Sequence, residues 1–393
     1  MKQELNRAHL CAQIRKQIRN MVPYPIKTDK PYKVYLKDVE REAFEQFKSA
    51  MLLDTVTQGA LMPDAHTGYT LPIGAVIATK DVVYPSFVGY DIGCGMCALP
   101  LTSDVDVVRE EASNIFGSVY EAVPVGFHTN EKAIDTKLDP DALTERGREA
   151  FEKRGAFHAL GTLGSGNHFI EIGTNPNGKV WAIIHSGSRG VGHGIATVYM
   201  KLASGDGKAR EGHYALDVSS DDGKAYINDM NWALAFALDN RREIMHRVVK
   251  VVTDLCGGEV DWDDLINRNH NHAEKRGDVW IHRKGATHAE EGMMGVVPGN
   301  MRDGSFIVRG KGNPESLYSS SHGAGRVLGR AAAKRQLKFE DFVDTMDGIT
   351  AKVEKGTLDE SPMAYKDIEK VMEQQSELVE IVDHVKPIIN VKG

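Results

Sequence analysis

Gly161-Thr162-Leu163-Gly164-Ser165-Gly166-Asn167-His168-Phe169-Ile170-Glu171 is a glycine loop that runs into an apolar stretch. Glycines open backbone conformations closed to other residues, and the apolar run after them reads as a buried strand. A short hairpin leads to a second strand, Val180 to Ile184, which ends at His185-Ser186-Gly187-Ser188-Arg189-Gly190. Histidines thus sit at comparable points, each beside a glycine turn at a strand end. That is where α/β folds carry their sites. A glycine loop alone is weak evidence for a nucleotide, and a single histidine is more often structural than a ligand.

Outward from this pair, the chain reads as one large α/β protein. Upstream, Asp38 to Leu53 has the spacing of an amphipathic helix, with Val39, Phe44, Phe47 and Met51 toward a core. Met62 to Gly68 reads as a turn, and Ile73 to Thr79 and Phe87 to Val88 as buried strands. Residues 1–35 form a polar arm broken by Pro23, Pro25 and Pro31. Residues 103–155 are charged and helix-rich, with a loop from Gly126 to Lys137. Downstream, 225–255 is the longest helical pattern, with Ile227, Met230, Trp232, Ala235, Leu238, Ile244, Val248 and Val252 as its core face. Val279 to Thr287 reads as a strand into a basic turn, and Val296 to Met301 leads to a strand at Ser305 to Gly310. Helices are expected at 339–346 and 365–378, and the end, Ile388 to Gly393, is apolar enough to dock as a strand. No repeat, low-complexity linker or domain boundary interrupts the chain.

Composition sets limits. The net charge of −7 does not suggest a nucleic-acid partner, although a local basic face remains open. Arg15 to Arg19 and Arg241 to Lys250 are basic runs, read as solvated helix faces. Four cysteines, Cys11, Cys94, Cys97 and Cys256, make no disulfide framework in 393 residues and favour a reducing cytoplasm. The start is polar and charged, unlike a signal peptide, and no apolar run reaches membrane length.

Chemistry concentrates in a few blocks. Asp91 and Cys94 lie on the turn Gly89-Tyr90-Asp91-Ile92-Gly93-Cys94-Gly95-Met96-Cys97, close enough to reach one ion. Cys94-x-x-Cys97 fits half a zinc site or a redox pair, but no second such pair exists. Asp91, Cys94, His168, His185 and His270 together supply a carboxylate, a thiolate and three imidazoles. That mixture suits a transition metal over calcium or magnesium, and a thiolate has lone pairs enough to bridge two ions. Ligand type does not select manganese over zinc or cobalt.

Ser319-Ser320-Ser321-His322-Gly323-Ala324-Gly325-Arg326 places one more histidine among small residues, just before a helix-like run. A helix start offers free N–H groups to phosphate, and Arg326 adds a bidentate donor. His322 could act there as base, ligand or nucleophile. Asp64 is a candidate to orient its ring.

These blocks resemble the RtcB family of RNA-splicing ligases. The resemblance rests on Met62-Pro63-Asp64-Ala65-His66, Asp91-Ile92-Gly93-Cys94-Gly95 and Gly164-Ser165-Gly166-Asn167-His168, on His185 to Gly190 and Arg283-Lys284-Gly285-Ala286, and on Ser321 to Arg326. It spans about 62–393. It implies a single α/β domain of mixed β-sheets and surrounding helices around a deep metal-binding cleft, with residues 1–60 an arm and helix packed on a catalytic core. It implies a GTP- and Mn²⁺-dependent ligase, a monomer without a membrane, that joins an RNA 3′-phosphate or 2′,3′-cyclic phosphate to a 5′-hydroxyl in RNA repair or tRNA splicing. Carried over by position, Asp91, Cys94 and His168 hold one Mn²⁺, and Cys94, His185 and His270 the other. His322 becomes the guanylylated nucleophile with Asp64 beside it. The GMP site takes Asn167, His168, Phe169, Ile170, Glu171, Arg189, His270 and Asn271. It also takes Pro298, Gly299, Asn300, Met301, Ser305, His322, Gly323, Ala324, Gly325 and, at the guanine, Lys392. Many members have Gly-Ser-Met-Gly where this chain has Gly299-Asn300-Met301-Arg302, which puts a longer amide and a charge beside the nucleotide. A non-ligating RNA-binding paralogue and a metal-dependent phosphohydrolase are the alternatives, and neither needs a covalent nucleotide carrier.

Overall fold

The computed structural model describes residues 25–393. Cys11, Pro23 and the Arg15 to Arg19 run lie outside the described residues.

Two sheets organise the chain. The larger has eight strands. Its main path runs Met294–Pro298, Ser305–Gly310, Val379–Lys392, Phe169–Thr174, Val180–Ser186, Gly95–Leu101 and Ile266–Asn269. Every neighbour on that path whose register is resolved is antiparallel. The smaller, five-stranded sheet runs Tyr32–Val34, Val56–His66, Ile73–Lys80, Val279–Lys284 and Asn271–Arg276. No helix of the described residues is long and apolar enough to cross a membrane.

Alternation along the strands explains the layering. In Phe169–Thr174, Ile170 and Ile172 face one core, together with Ile389 and Val391 of the last strand. Phe169, Glu171, Asn390 and Lys392 therefore share the opposite face, because side chains alternate along a strand. The last strand is longer than the sequence suggests, Val379–Lys392, and a register shift between Pro387 and Ile389 lets it serve two neighbours.

One helix, Asp221–Cys256, is the spine. Ser220 caps it by accepting from the Gly223 N–H, and Gly257 ends it at φ 68°. Its first half packs Tyr226, Met230, Ala233 and Phe236 on the helix Arg189–Ser204. Its second half packs Ile244, Met245, Val248 and Val252 on the large sheet. Ile227, Ala235 and Leu238 are only half-buried, because the buried face is set one position away, on Tyr226, Ala233 and Ala237.

Other departures are local. Met62 to His66 is strand, not turn, as part of Val56–His66. Phe87 and Val88 lie in a short helix, Pro85–Val88, which proline at its first position favours. The arm contributes a parallel edge strand at Tyr32–Val34. The helix after His322 begins only at Arg330, so no helix N-terminus faces that histidine. The first amphipathic helix spans Arg41–Met51 and buries Phe44, Phe47 and Met51, with Val39 buried just before it.

Candidate active site

The strand ends and glycine turns converge on a buried cluster. Cys94 Sγ lies 3.2 Å from His185 Nε2 and 3.5 Å from His168 Nε2. His185 Nε2 lies 3.3 Å from His270 Nε2, and His168 Nε2 is 3.6 Å from Asp91 Oδ2. The cluster thus joins all five residues singled out for a metal. Cys97 is buried in the core behind it, and burial pushes its thiol up to about 12.

The surroundings decide which atoms are presented. His168 Nδ1 is 2.9 Å from the Leu163 carbonyl, and His185 Nδ1 is 3.1 Å from the Asn167 carbonyl. A carbonyl only accepts, so each Nδ1 carries the proton and each Nε2 keeps its lone pair. Burial, with neighbouring positive charge, pushes His185 and His270 well below the usual imidazole range. The ligand atoms of Cys94, His168 and His185 lie within 4.8 Å of one another, and a single thiol hydrogen cannot serve both imidazole lone pairs. A soft-to-borderline metal ion satisfies them, so the donor set fits one.

Backbone contacts hold the donors from behind. His270 N donates to the Cys94 carbonyl at 2.7 Å, and Gly93 N to the Asn271 carbonyl at 2.9 Å. Gly93 adopts φ +77°, and a Cβ there would come within 2.8 Å of the Ala237 Cβ. Two consecutive residues of the spine helix do the rest. Asn240 accepts from the Gly161 and Thr162 N–H groups and donates to Thr162, Ser186 and Gly187. Arg241 donates to the Gly93 carbonyl at 2.8 Å, the Ser186 carbonyl at 2.9 Å, Asn267 at 2.7 Å and Asn269 at 2.6 Å. The basic run read as a solvated face is therefore half wrong: Arg241 is wholly buried, and Arg247 braces Ala122, Asn130 and Gly161.

His322 stands against this cluster, its ring 4.8 Å from that of His270. Its Nδ1 is 2.7 Å from Asp64 Oδ2, which also accepts from the His322 and Gly323 backbone N–H groups. Burial alone would raise the Asp64 carboxyl, but the facing His322 holds it below the usual range. With Nδ1 donating to a carboxylate, Nε2 is the free nitrogen.

His322 belongs to the wall of a cavity of about 290 Å³. Asn167, Phe169, Pro298, Gly299, Asn300, Met301, Lys392 and the turn His322 to Gly325 line it, as the sequence suggested. Others on that roster do not reach it. Ile170 faces the core. Asn271 is spent on the Gly285 N–H and the Asp91 carbonyl. Arg189 lies behind the glycine loop, bonded to Thr162 and Gly126. His168 and His270 belong to the ligand cluster. Glu171 and Ser305 are buried beneath the wall, each with an oxygen that meets no partner.

Arg326 is not a free phosphate donor. It donates to Leu328, Tyr365, Glu360 and the Asp359 carbonyl. Nor does Arg302 bring a bare charge, since it forks onto Asp303 at 2.7 and 3.1 Å. Asn300 closes the same turn, donating to Asp303 at 2.7 Å and accepting two backbone N–H groups. The sequence reading missed His66, Arg330, Glu360, Tyr365 and Asn390 on the cavity wall. Asn390 was legible, since it shares Lys392's side of a strand two residues away.

A second cluster, His272, Glu274 and His288, also brings ligand atoms within 4.8 Å. The wholly buried Arg283 donates to both His272 and Glu274 there, so this is the cage of a guanidinium.

A family model described as "tRNA-splicing ligase RtcB" matches residues 46–393. The chain belongs to the RtcB family. It is 35% identical to the RNA-splicing ligase RtcB of Escherichia coli K12, over 92% of this chain and 97% of that one. It is 28% identical to the tRNA-splicing ligase RtcB of Nanoarchaeum equitans, over 95% and 97%. The RNA-splicing ligase RtcB homolog 1 of Entamoeba dispar is 27% identical, over 91% of this chain and 84% of that one. In this RtcB-family chain the metal-fitting cluster and the histidine-carboxylate pair therefore lie inside the matched region.

Two predictions follow from this geometry. Arg241→Met leaves four acceptors without their donor, and we expect a stability loss of about 3 kcal/mol by urea unfolding. Bound metal, measured by elemental analysis, should fall with it. Cys94→Ala removes the one sulfur within reach of His168 and His185, and metal content should drop while urea unfolding shifts by less than for Arg241→Met.

Proposed function

We propose that the chain is an RNA ligase that uses GTP and two Mn²⁺ ions to join an RNA 3′-phosphate or 2′,3′-cyclic phosphate to a 5′-hydroxyl, in RNA repair or tRNA splicing. The observation that carries it is the Asp64–His322 pair set edge-on to His270, with His322 on the cavity wall. A hydrolase or a binding module needs no covalent nucleotide carrier, the role this histidine is oriented to take.

The roles follow from the atoms. His322 Nε2 attacks the α-phosphorus of GTP; the P–N bond forms as the bond to pyrophosphate breaks. Asp64 accepts the Nδ1 proton bond and stabilises the positive charge that develops on the ring. An oxygen of the RNA 3′-phosphate next attacks the same phosphorus, and the P–N bond breaks. A cyclic end must first be opened by water. The 5′-hydroxyl then attacks the RNA 3′-phosphorus, and GMP leaves. Bound metal ions, held by Asp91, Cys94, His168, His185 and His270, would supply Lewis acidity and neutralise phosphate charge. Lys392, beside Phe169, suits the guanine carbonyl oxygen, an acceptor that adenine lacks. The unpaired cysteines among the described residues suit a cytoplasmic protein.

The direct test is transfer of radiolabel from α-labelled GTP to the protein, in an acid-labile, base-stable linkage. We expect His322→Ala to abolish the label and leave metal content unchanged. Wild-type labelling in that variant would refute the nucleophile.

Glu171 gives a pH prediction. Burial pushes its carboxyl up to about 8, against the opposing pull of Ser305 and Lys392. At pH 7 the empty site therefore holds mostly the acid form beneath the cavity wall, and a guanine edge that opens the wall to donate N–H groups to it needs the carboxylate. Binding must release the proton, so GTP affinity should strengthen from pH 6 to 8, by up to about tenfold per unit, and level off above. Glu171→Gln should bind weakly and lose that slope, as read by titration of nucleotide binding at fixed ionic strength.

A further inference from the structure

Lys366 braces both halves of the Asp64–His322 pair. Its ammonium donates to the carbonyls on either side of Asp64, Ala65 at 2.6 Å and Pro63 at 3.4 Å. Its backbone N–H donates to the Gly325 carbonyl at 2.9 Å, at the end of the turn that begins with His322. That turn lies directly on the Asp64 strand: a Cβ at Gly325, where φ is +75°, would collide with the Asp64 carbonyl oxygen. One residue thus fixes the strand of the carboxylate and the turn of the histidine against each other.

Charge points the same way. Asp64 is wholly buried, and its Oδ1, beside Gly74, has no hydrogen-bond partner. Burial pushes its carboxyl up, and His322, His66 and Lys366 pull it down. A histidine attacks phosphorus as the neutral ring, so His322 brings no charge when the attack begins. Burial pushes His66 down to about 4, so it too is neutral at pH 7. The cation that remains is Lys366; burial works against its ammonium, and Asp64 and Glu40 support it.

We propose that Lys366 is a positioning residue for nucleotidyl transfer to His322, acting through Asp64. The inference rests on the nucleophile proposed above. As Nε2 bonds to phosphorus and the bond to pyrophosphate breaks, the ring turns positive and Asp64 offsets that charge. Lys366 gives up no atom and no proton in this step; it holds the carboxylate in place and keeps a positive charge beside it. It is not on the cavity wall, so it has no part in holding GTP. The final joining does not use His322 either, since the 5′-hydroxyl attacks an RNA end that already carries GMP.

The test compares full-length wild type, Lys366→Met and Lys366→Arg, each with Mn²⁺. Three quantities are read: the single-turnover rate of labelling by α-labelled GTP, the GTP needed for half the maximal rate, and the joining of RNA whose 3′ end already carries GMP. In Lys366→Met, labelling should slow by roughly ten- to a hundredfold, the worth of a hydrogen bond from a charged group. Half-saturation, bound metal and joining of the pre-activated RNA should stay at wild-type values, the pattern of a loss confined to the chemical step. Lys366→Arg, which returns a cation, should recover most of the rate. Wild-type labelling in Lys366→Met overturns the proposal, and so does an arginine variant no faster than the methionine one. Labelling and joining that fall by the same factor also overturn it, because that marks a general loss of structure. A wild type that joins pre-activated RNA yet takes no label from GTP overturns the nucleophile reading, and this inference with it.

Discussion

The site depends on one buried guanidinium. Arg241 gathers the carbonyls before Cys94 and after His185 with the side chains of two residues just ahead of His270. All four acceptors are neutral, so the charge is not cancelled by a carboxylate in contact. Burial lowers it to about 10, which still leaves it protonated at neutral pH. Asp91 is a carboxylate that favours its charge, and the Cys97 and Cys94 thiols would favour it only when ionised. The cation thus does two things. It fixes backbone that no regular ladder could hold, and it favours the thiolate of Cys94 against burial and Asp91, which push that thiol well above its usual value. A metal ion would complete the same charge balance from the other side.

The large sheet divides labour by parity. Alternate residues of Phe169–Thr174 and of the last strand fill the core with Ile170, Ile172, Ile389 and Val391. The residues between them, Phe169, Glu171, Asn390 and Lys392, carry polarity and ring surface to the cavity side. A slip of one residue in this pairing would exchange the two sets. The register that packs the core is therefore the register that composes the cavity, and substitutions within it couple stability to binding.

Much of this was legible because the functional blocks are contiguous. Glycine turns, strand-end histidines and the His322 turn announce themselves within a few residues, and the resemblance they carry anticipated both the family and the α/β class. What stayed hidden is long-range. Arg241 reads as part of a charged helix, and nothing local says that its helix passes under three loops. Glu360 sits between the two expected helices in a stretch that carries no motif, yet it meets the cavity from far along the chain. Arg326 looked like a phosphate donor because its neighbours are small and glycine-rich. Its guanidinium turns back instead, since Glu360, Tyr365 and the Asp359 carbonyl compete for it at shorter range. Met62 to Gly68 carries turn-like Pro63 and Gly68, but pairing of His66 with Ile73 across an irregular register keeps it in the sheet.

Glu360 shows how the cavity manages charge before any ligand arrives. One oxygen receives Arg330 at 2.5 Å and Arg326 at 3.3 Å; the other receives Lys392 and Tyr365, each at 2.7 Å. Despite burial, Lys392 and Arg330, with the Tyr365 hydroxyl, hold its carboxyl down at about 2. The positive groups on this wall are thus already paired, and an incoming phosphate gains only the difference between its own bonds and those Glu360 offers. Such a site discriminates by geometry more than by gross attraction. A ligand that places its base over Phe169 and Lys392 and its phosphate beside His322 can share those cations without stripping them from Glu360. One that cannot reach both ends must break the hub to bind, and the carboxylate left behind would be buried without its partners.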